Sequence, residues 1–486
     1  MTPYDRETSQ SIQDFKEWRE QLNSSLSRRR EAIIDLIDAL SSNQHATSVA
    51  ELSLNSLFQR DYNSLYKAIA EFSHSSSETT ESQQVEPIFQ VVSGTIPATT
   101  SRPFHLLGID ATPYPRPYSA TLPDKTFIHY PNPIKGNKPI SIGHTYSVVC
   151  ALPERTETGN VPWSIPLSCE RVISTDTATK TGNKQLKKLW ENSKSSEEED
   201  KLSVLVADCD YSQRGFIGEQ VQQQNLVTIT RVRSNRVFYR SFIDENLAEK
   251  RVGHPRWYGD KFDLLKSETW HEPDDTAQTS FTTKRGRHLT VTISAWKQML
   301  MRGTKVYKMN RHPFTLLQIT VKDPTTNCTI WKPMWLMVIG ECRDTLTLID
   351  CYESYRQRYD MEHLFRFGKQ KLLMNSYFTP DVQHEENWVK LTLLAYVNLW
   401  AARKLAVVLP RPWEQYLTQD ESVKITPSLV QRDFHRIIQT MGLSAKSPKH
   451  RGFSSGRIKG EKKGRRTRHQ VIKKTKKSSA QKQKAS

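Results

Sequence analysis

Three acids stand where they could act together on a phosphodiester. Asp110 closes the apolar run FHLLGID, Asp208 closes LSVLVAD, and Glu362 lies inside YRQRYDMEHLFRFGKQKLL. Acids just past the carboxyl ends of central strands point into the crevice where α/β sheets bind ligands. Carboxylates gathered there repel one another unless a cation cancels their charge. A hard divalent cation does this with oxygen ligands, and Mg2+ also shares phosphate oxygens. Two such ions, about 3.5–4 Å apart, activate a nucleophilic oxygen and stabilise the leaving oxygen of a phosphodiester.

The stretch around Glu362 supplies cations. A helix turns about 100° per residue, so Tyr355, Arg358, Glu362, Arg366 and Lys369 fall on one polar stripe. Met361, Leu364, Phe365 and Leu372 form an apolar arc beside it. One continuous helix is therefore expected to dock on a core while presenting the stripe to a cleft. Arg forks phosphate oxygens, Lys supplies a point charge, and Tyr offers a hydroxyl. Each residue alone has an ordinary explanation. Asp110 could open a turn before Pro113, Asp208 could cap a strand with Asp210 sharing its face, and Glu362 could pair with Arg358 or Arg366.

The elements that must position these residues read as follows. Residues 10–72 are helical, with Ile33, Ile34, Ile37 and Leu40 at helical spacing. A helix-turn-helix and an ordinary helical subdomain are both compatible with that stretch. SHSSSETTESQQ, residues 73–84, reads as a polar linker. Strands follow at FHLLGID, ISIGHTYSVVCALP and PLSCERVI, then a helix at KQLKKLWENS, then the strands LSVLVAD and LVTITRVR. Continuous apolar runs of this kind belong to buried central strands. HLTVTIS, FTLLQITV and TIWKPMWLMVIG make the segment from about residue 230 to 345 mostly β. The expected division is a helical N-terminal domain over 1–96 that could bind DNA ends, core segments over 97–229 and 346–412, and a β-rich insertion over 230–345. A helical segment over 413–445 and a basic tail over 446–486 follow.

The net charge of +18 is concentrated in that tail. From Lys446 onward sixteen Lys or Arg face one acid, Glu461, leaving 54 basic and 51 acidic residues in the rest. With so little apolar content the tail is expected to be disordered and to bind a polyanion, nucleic acid foremost. The six cysteines form no CxxC pair and the histidines no HxxxH set, so a zinc site is not expected and a reducing cytoplasm is. No signal peptide or run of about 18 apolar residues occurs, so no membrane association is expected.

The chain resembles bacterial insertion-sequence transposases of the DDE type, whose third acid lies in Y-x-x-R-x-x-x-E-x-x-x-x-x-x-K. Tyr355, Arg358, Glu362 and Lys369 fit that signature without a spacing error. Asp110 in DAT, with Thr112, resembles the first acid; Asp208 in ADCDY, with Tyr211, resembles the second and is favoured over Asp210. The resemblance covers about residues 97–410, and the N-terminal helices more loosely. It implies an α/β, ribonuclease H-like core interrupted by the β insertion, with two Mg2+ ions, or Mn2+ in their place, held by Asp110, Asp208 and Glu362. It implies cutting of double-stranded DNA at the ends of a mobile element, joining of a 3′-hydroxyl to target DNA, and a homodimer in the synaptic complex. Tyr355, Arg358 and Lys369 are implied to contact phosphates, and a Trp of the insertion to hold a flipped base; Trp257, Trp270, Trp296, Trp331 and Trp335 are candidates. Arg366 stands outside the signature, open between a phosphate contact and an ion pair with Glu362. A silent DNA-binding descendant and another ribonuclease H-like nuclease are the competing readings. The expected location is the bacterial cytoplasm, at the nucleoid.

Overall fold

The computed structural model describes residues 3–73, 91–130, 138–193, 201–242, 257–283, 285–409, 424–449, 460 and 464–474. The expected linker falls outside these residues beyond Ser73, as do 410–423 of the C-terminal region. Helices α1 (Pro3–Ser25), α2 (Arg30–Ser41) and α3 (Tyr62–Glu71) come first. They precede strands β1 (Phe104–Pro115), β2 (Thr126–His129), β3 (Ile140–Ala151) and β4 (Ile165–Arg171). Then come α4 (Ala178–Ser193), β5 (Leu202–Ala207), α5 (Arg214–Gln220) and β6 (Leu226–Val232). Six strands follow: β7 (Val237–Ser241), β8 (Tyr258–Asp263), β9 (Asp275–Thr282), β10 (His288–Leu300), β11 (Phe314–Lys322) and β12 (Met334–Ile339). The chain continues through α6 (Leu348–Gln357), α7 (Tyr359–Lys371), α8 (Val382–Ala402), α9 (Leu405–Val408) and α10 (Pro427–Met441).

The strands make one mixed sheet. β1 pairs in parallel with β5 and β5 in parallel with β6, while β3 runs antiparallel on the other side of β1. β2 and β4 take successive halves of the outer edge of β3. Val204, Leu205, Val206 and Ala207 of β5 are fully buried, as a strand covered on both faces requires. β12 pairs antiparallel with β6, and β11 and β10 follow it, so the β-rich segment extends the core sheet along an unbroken ladder. β9, beside β10, alternates exposed and half-buried residues along one polar edge.

The N-terminal and C-terminal helices share a layer built around α8, which is buried on nearly every side. Several of its buried polar side chains tie it to neighbouring elements. Asn398 donates to Asp38 at 3.2 Å and to Ser41 at 3.0 Å, and Asn387 donates to the Ile69 carbonyl at 2.8 Å. Asp38 also takes a two-pronged contact from Arg19, at 2.6 and 2.7 Å. At the other end of α8, buried Glu385 accepts from Arg116 at 2.6 Å and from the Tyr146 hydroxyl at 2.9 Å, with His144 Nδ1 at 2.6 Å. Buried acids of this kind persist only when paired.

Asp35 on α2 is a less balanced case. Burial pushes its carboxyl up to about 6, against the pull of Arg60, whose Nε lies 3.0 Å away. The unfolded chain loses that proton near the ordinary aspartate value of 3.8. Between these values the folded state binds more protons, so this contribution to stability is full below about 4 and lost as pH rises through about 6. The expected result is that Asp35→Asn lacks this loss. Unfolding free energies from urea titrations at acid and neutral pH should differ for the wild type by roughly 1–3 kcal/mol more than for the variant. Parallel pH curves would refute the assignment.

Candidate active site

Asp110 lies within β1 rather than at its end. The parallel pairing with β5 stops at Ile109 opposite Ala207, and β1 runs on beside β3 alone. Asp110 and Asp208 therefore flank the point where two adjacent parallel strands separate. Asp208 follows β5 directly and accepts from the Cys209 N–H, capping a single helical turn over Cys209–Tyr211. Asp210 points elsewhere: it is exposed and lies 2.5 Å from Arg233.

The expected single helix from Tyr355 to Leu373 is two helices. α6 begins at a capping box in which Thr347 and Asp350 satisfy each other's backbone N–H groups. It ends at Gln357, and Arg358 is the joint from which α7 departs. Arg358 keeps helical angles (φ −49°, ψ −32°), but its flanking bonds span three residues, from Arg358 N–H to the Tyr355 carbonyl and from Met361 N–H to the Arg358 carbonyl. Met361, Leu364, Phe365 and Leu372 are buried, as their spacing predicts. Met361 packs against Gly108 of β1, where an added Cβ would lie 2.6 Å from the Met361 sulfur. Asp110 is two residues beyond Gly108 on the same face of β1, and Glu362 follows Met361. That close approach brings the two acids together.

Arg358 joins them. Its Nη1 donates to Asp110 Oδ2 at 2.9 Å and its Nη2 to Glu362 Oε1 at 3.0 Å. Burial pushes the Asp110 carboxyl up to about 6; Arg358 pulls it down, and the charges of Asp208 and Glu362 raise it further. Burial alone would lower the Arg358 guanidinium, but Asp110, Tyr355, Asp208 and Glu362 outweigh it and hold its proton more firmly. Tyr355 is buried on α6 with its ring under the Arg358 guanidinium, and burial pushes its hydroxyl up to about 12. Lys369, half-buried on α7, is lowered by burial to about 8, with Asp110 opposing the shift. Arg366 is exposed and donates to the Tyr359 hydroxyl at 3.4 Å; the ion pair of Glu362 is with Arg358.

Two contributors escape the sequence reading. Arg231, near the carboxyl end of β6, is close enough to Tyr355 for its charge to lower that hydroxyl. The signal available was an Arg near the end of LVTITRVR, the next parallel strand. Asp360 is buried on the far side of α7 and takes Arg155 at 2.6 Å, fixing the helix to the segment after β3. Burial raises its carboxyl to about 7.

A family profile described as DDE superfamily endonuclease matches residues 21–303, more than half of the chain. The chain belongs to the DDE superfamily endonucleases. The matched span of this endonuclease contains Asp110 and Asp208, whereas Glu362 and both α6 and α7 lie beyond it. No curated protein matches the chain. The donor chemistry of the three acids suits a hard divalent cation, since each offers only carboxylate oxygens and their mutual repulsion already raises Asp110. Among the described residues no three metal-binding side chains converge as a preformed cluster, and Arg358 is the cation between Asp110 and Glu362. No helix among the described residues is long and apolar enough to cross a membrane.

Proposed function

We propose that this endonuclease is a DNA transposase, which binds the ends of a mobile element, cleaves phosphodiester bonds with two divalent ions and transfers the 3′-hydroxyl to target DNA. The observation that carries the reading is the meeting of Asp110 and Glu362 on one guanidinium whose positive charge Asp208 also favours, in a chain of this family. The order of β3, β1, β5 and β6, antiparallel then parallel, supports a ribonuclease H-like core.

Asp110, Asp208 and Glu362 would hold the metal ions, which when bound supply an activated nucleophilic oxygen and charge stabilisation on the leaving oxygen. Arg358 carries the fork that grips two phosphate oxygens, and its present hold on two carboxylates shows how close it lies to the acids. Tyr355, raised to about 12, stays a neutral hydroxyl donor at neutral pH. Lys369, at about 8, remains mostly charged there and adds a point charge toward phosphate. Among the candidate base platforms Trp296 and Trp335 are buried, and Trp270 stacks on Phe262 while its indole N–H donates to the Asp263 carbonyl. Trp257 and Trp331, 45% and 54% exposed, are the two whose ring faces a flipped base could reach. A homodimer would bring two such sites to the two element ends.

A catalytically silent DNA-binding protein is the second reading, and the Arg358 bridge between two of the acids is the observation that favours it. One assay separates the two. The protein is incubated with the DNA that flanks its reading frame on both sides, with Mg2+, with Mn2+ or with a chelator. Metal-dependent nicking at the element ends, followed by joined products, is the expected result. Binding without cleavage under either metal would favour the silent reading, and hydrolysis of branched DNA without joining would favour a different nuclease.

A further inference from the structure

The part of the basic tail that was expected to be disordered includes an extended segment lying along the free edge of the core sheet. Ile472 forms a parallel bridge with Thr126 at the start of β2, and its N–H donates to the Lys125 carbonyl at 2.9 Å. The His469 N–H donates to the Ala120 carbonyl at 3.1 Å. Lys474 closes the attachment by donating to the carbonyls of Ile173 at 3.2 Å and Asp176 at 2.9 Å. Lys125, beneath this segment, is buried and donates to the carbonyls of Ser119 and Ala120, so the loop that receives the segment is itself braced.

The residues ahead of these anchors have a different character. Arg465, Arg466 and Arg468 are exposed, and among the described residues none of them has a carboxylate partner. Elsewhere in the chain arginines such as Arg116, Arg171 and Arg358 are each held by an acid. The register also gives the segment a direction. Thr126 of β2 faces Gly143 of β3, which faces Pro115 of β1, so Ile472 is level with Pro115.

We infer that residues 464–474 form a docked arm, anchored by Ile472 and Lys474, that grips the phosphate backbone of a DNA duplex through Arg465, Arg466 and Arg468. This rests on the transposase reading and adds to it a fixed second contact where a loose polycationic tail would give only diffuse attraction. The arm binds DNA of any sequence, because phosphates carry no base information.

The test uses the full-length chain and a fluorescent duplex of about 40 base pairs, titrated over a range of salt. Replacing Arg465, Arg466 and Arg468 together by Gln should weaken binding about 30-fold and reduce the salt slope by roughly 3. Ile472→Pro keeps every charge but removes the N–H that holds the arm. It should weaken binding about tenfold, and backbone amides of β2 should exchange faster with deuterated solvent, by the loss of preorganisation. Weakening by the Gln variant with wild-type affinity for Ile472→Pro would overturn the docked arm in favour of a freely moving tail. A chain that binds and cuts DNA with both variants unaffected would overturn the arm alone. A wild type without affinity for duplex DNA would overturn the transposase reading and the arm with it.

Discussion

Asp110→Asn is expected to lower metal-dependent DNA cleavage by about a thousandfold or more, equivalent to roughly 4 kcal/mol of lost transition-state stabilisation. The amide keeps the size of the side chain and one acceptor for Arg358, so the fold around Gly108 and Met361 should persist. What it loses is the charge that a divalent ion requires. Asp208→Asn and Glu362→Gln should behave alike, whereas duplex affinity in all three should hold or rise slightly, since each change removes a negative charge facing phosphate. Arg358→Ala should do the opposite and weaken DNA binding. Gel assays of nicking and anisotropy measurements of binding on the same preparations would separate these effects. Substantial cleavage by any one of the acid variants would remove that residue from the catalytic set.

The second large effect lies outside the site. Glu385→Ala should destabilise the protein by about 3–5 kcal/mol, because it leaves the buried Arg116 without its counter-charge and strips His144 and Tyr146 of an acceptor. Glu385→Gln, which keeps volume and an acceptor oxygen, should cost less. Chemical denaturation followed by fluorescence gives both values. A loss below about 1 kcal/mol for the Ala variant would mean that the cluster rearranges or admits water. Tyr114 and Arg116 also reach the Tyr377 carbonyl, so this cluster ties the outer end of β1 to the segment leading into α8.

The three acids were legible because each sits at a boundary that composition marks: an apolar run that stops at Asp110, another that stops at Asp208, and a helix with a polar stripe around Glu362. The strand pattern through LVTITRVR was legible for the same reason, since buried central strands must be apolar throughout. The break at Arg358 was not. Nothing between Tyr355 and Met361 is a Gly or a Pro, and the joint arises from tertiary packing, where α6 and α7 meet different parts of the sheet. Gly108 carries no signal of its own within FHLLGID, since its role comes from Met361, more than two hundred residues away, which occupies the space that its missing Cβ leaves. The docking of 464–474 was equally hidden, because one β-bridge, two backbone hydrogen bonds and the two bonds of the Lys474 ammonium need almost no apolar side chains. Glu385 gave no signal of its own, since its partners Arg116, His144 and Tyr146 lie more than two hundred residues away.

The unbroken ladder from β6 to β12 has a practical consequence for anyone trimming the protein to a minimal nuclease. Cutting out the outer strands as a detachable module would strip β6 along Thr228 to Val232, where each residue now faces β12. LVTITRV would then be a β-branched edge strand with bare amides and carbonyls, a ready template for another copy of itself. A shortened chain that keeps all three acids but lacks β12 should therefore aggregate before it can be assayed. The outer strands serve the catalytic half as a solubilising cover as well as an extension.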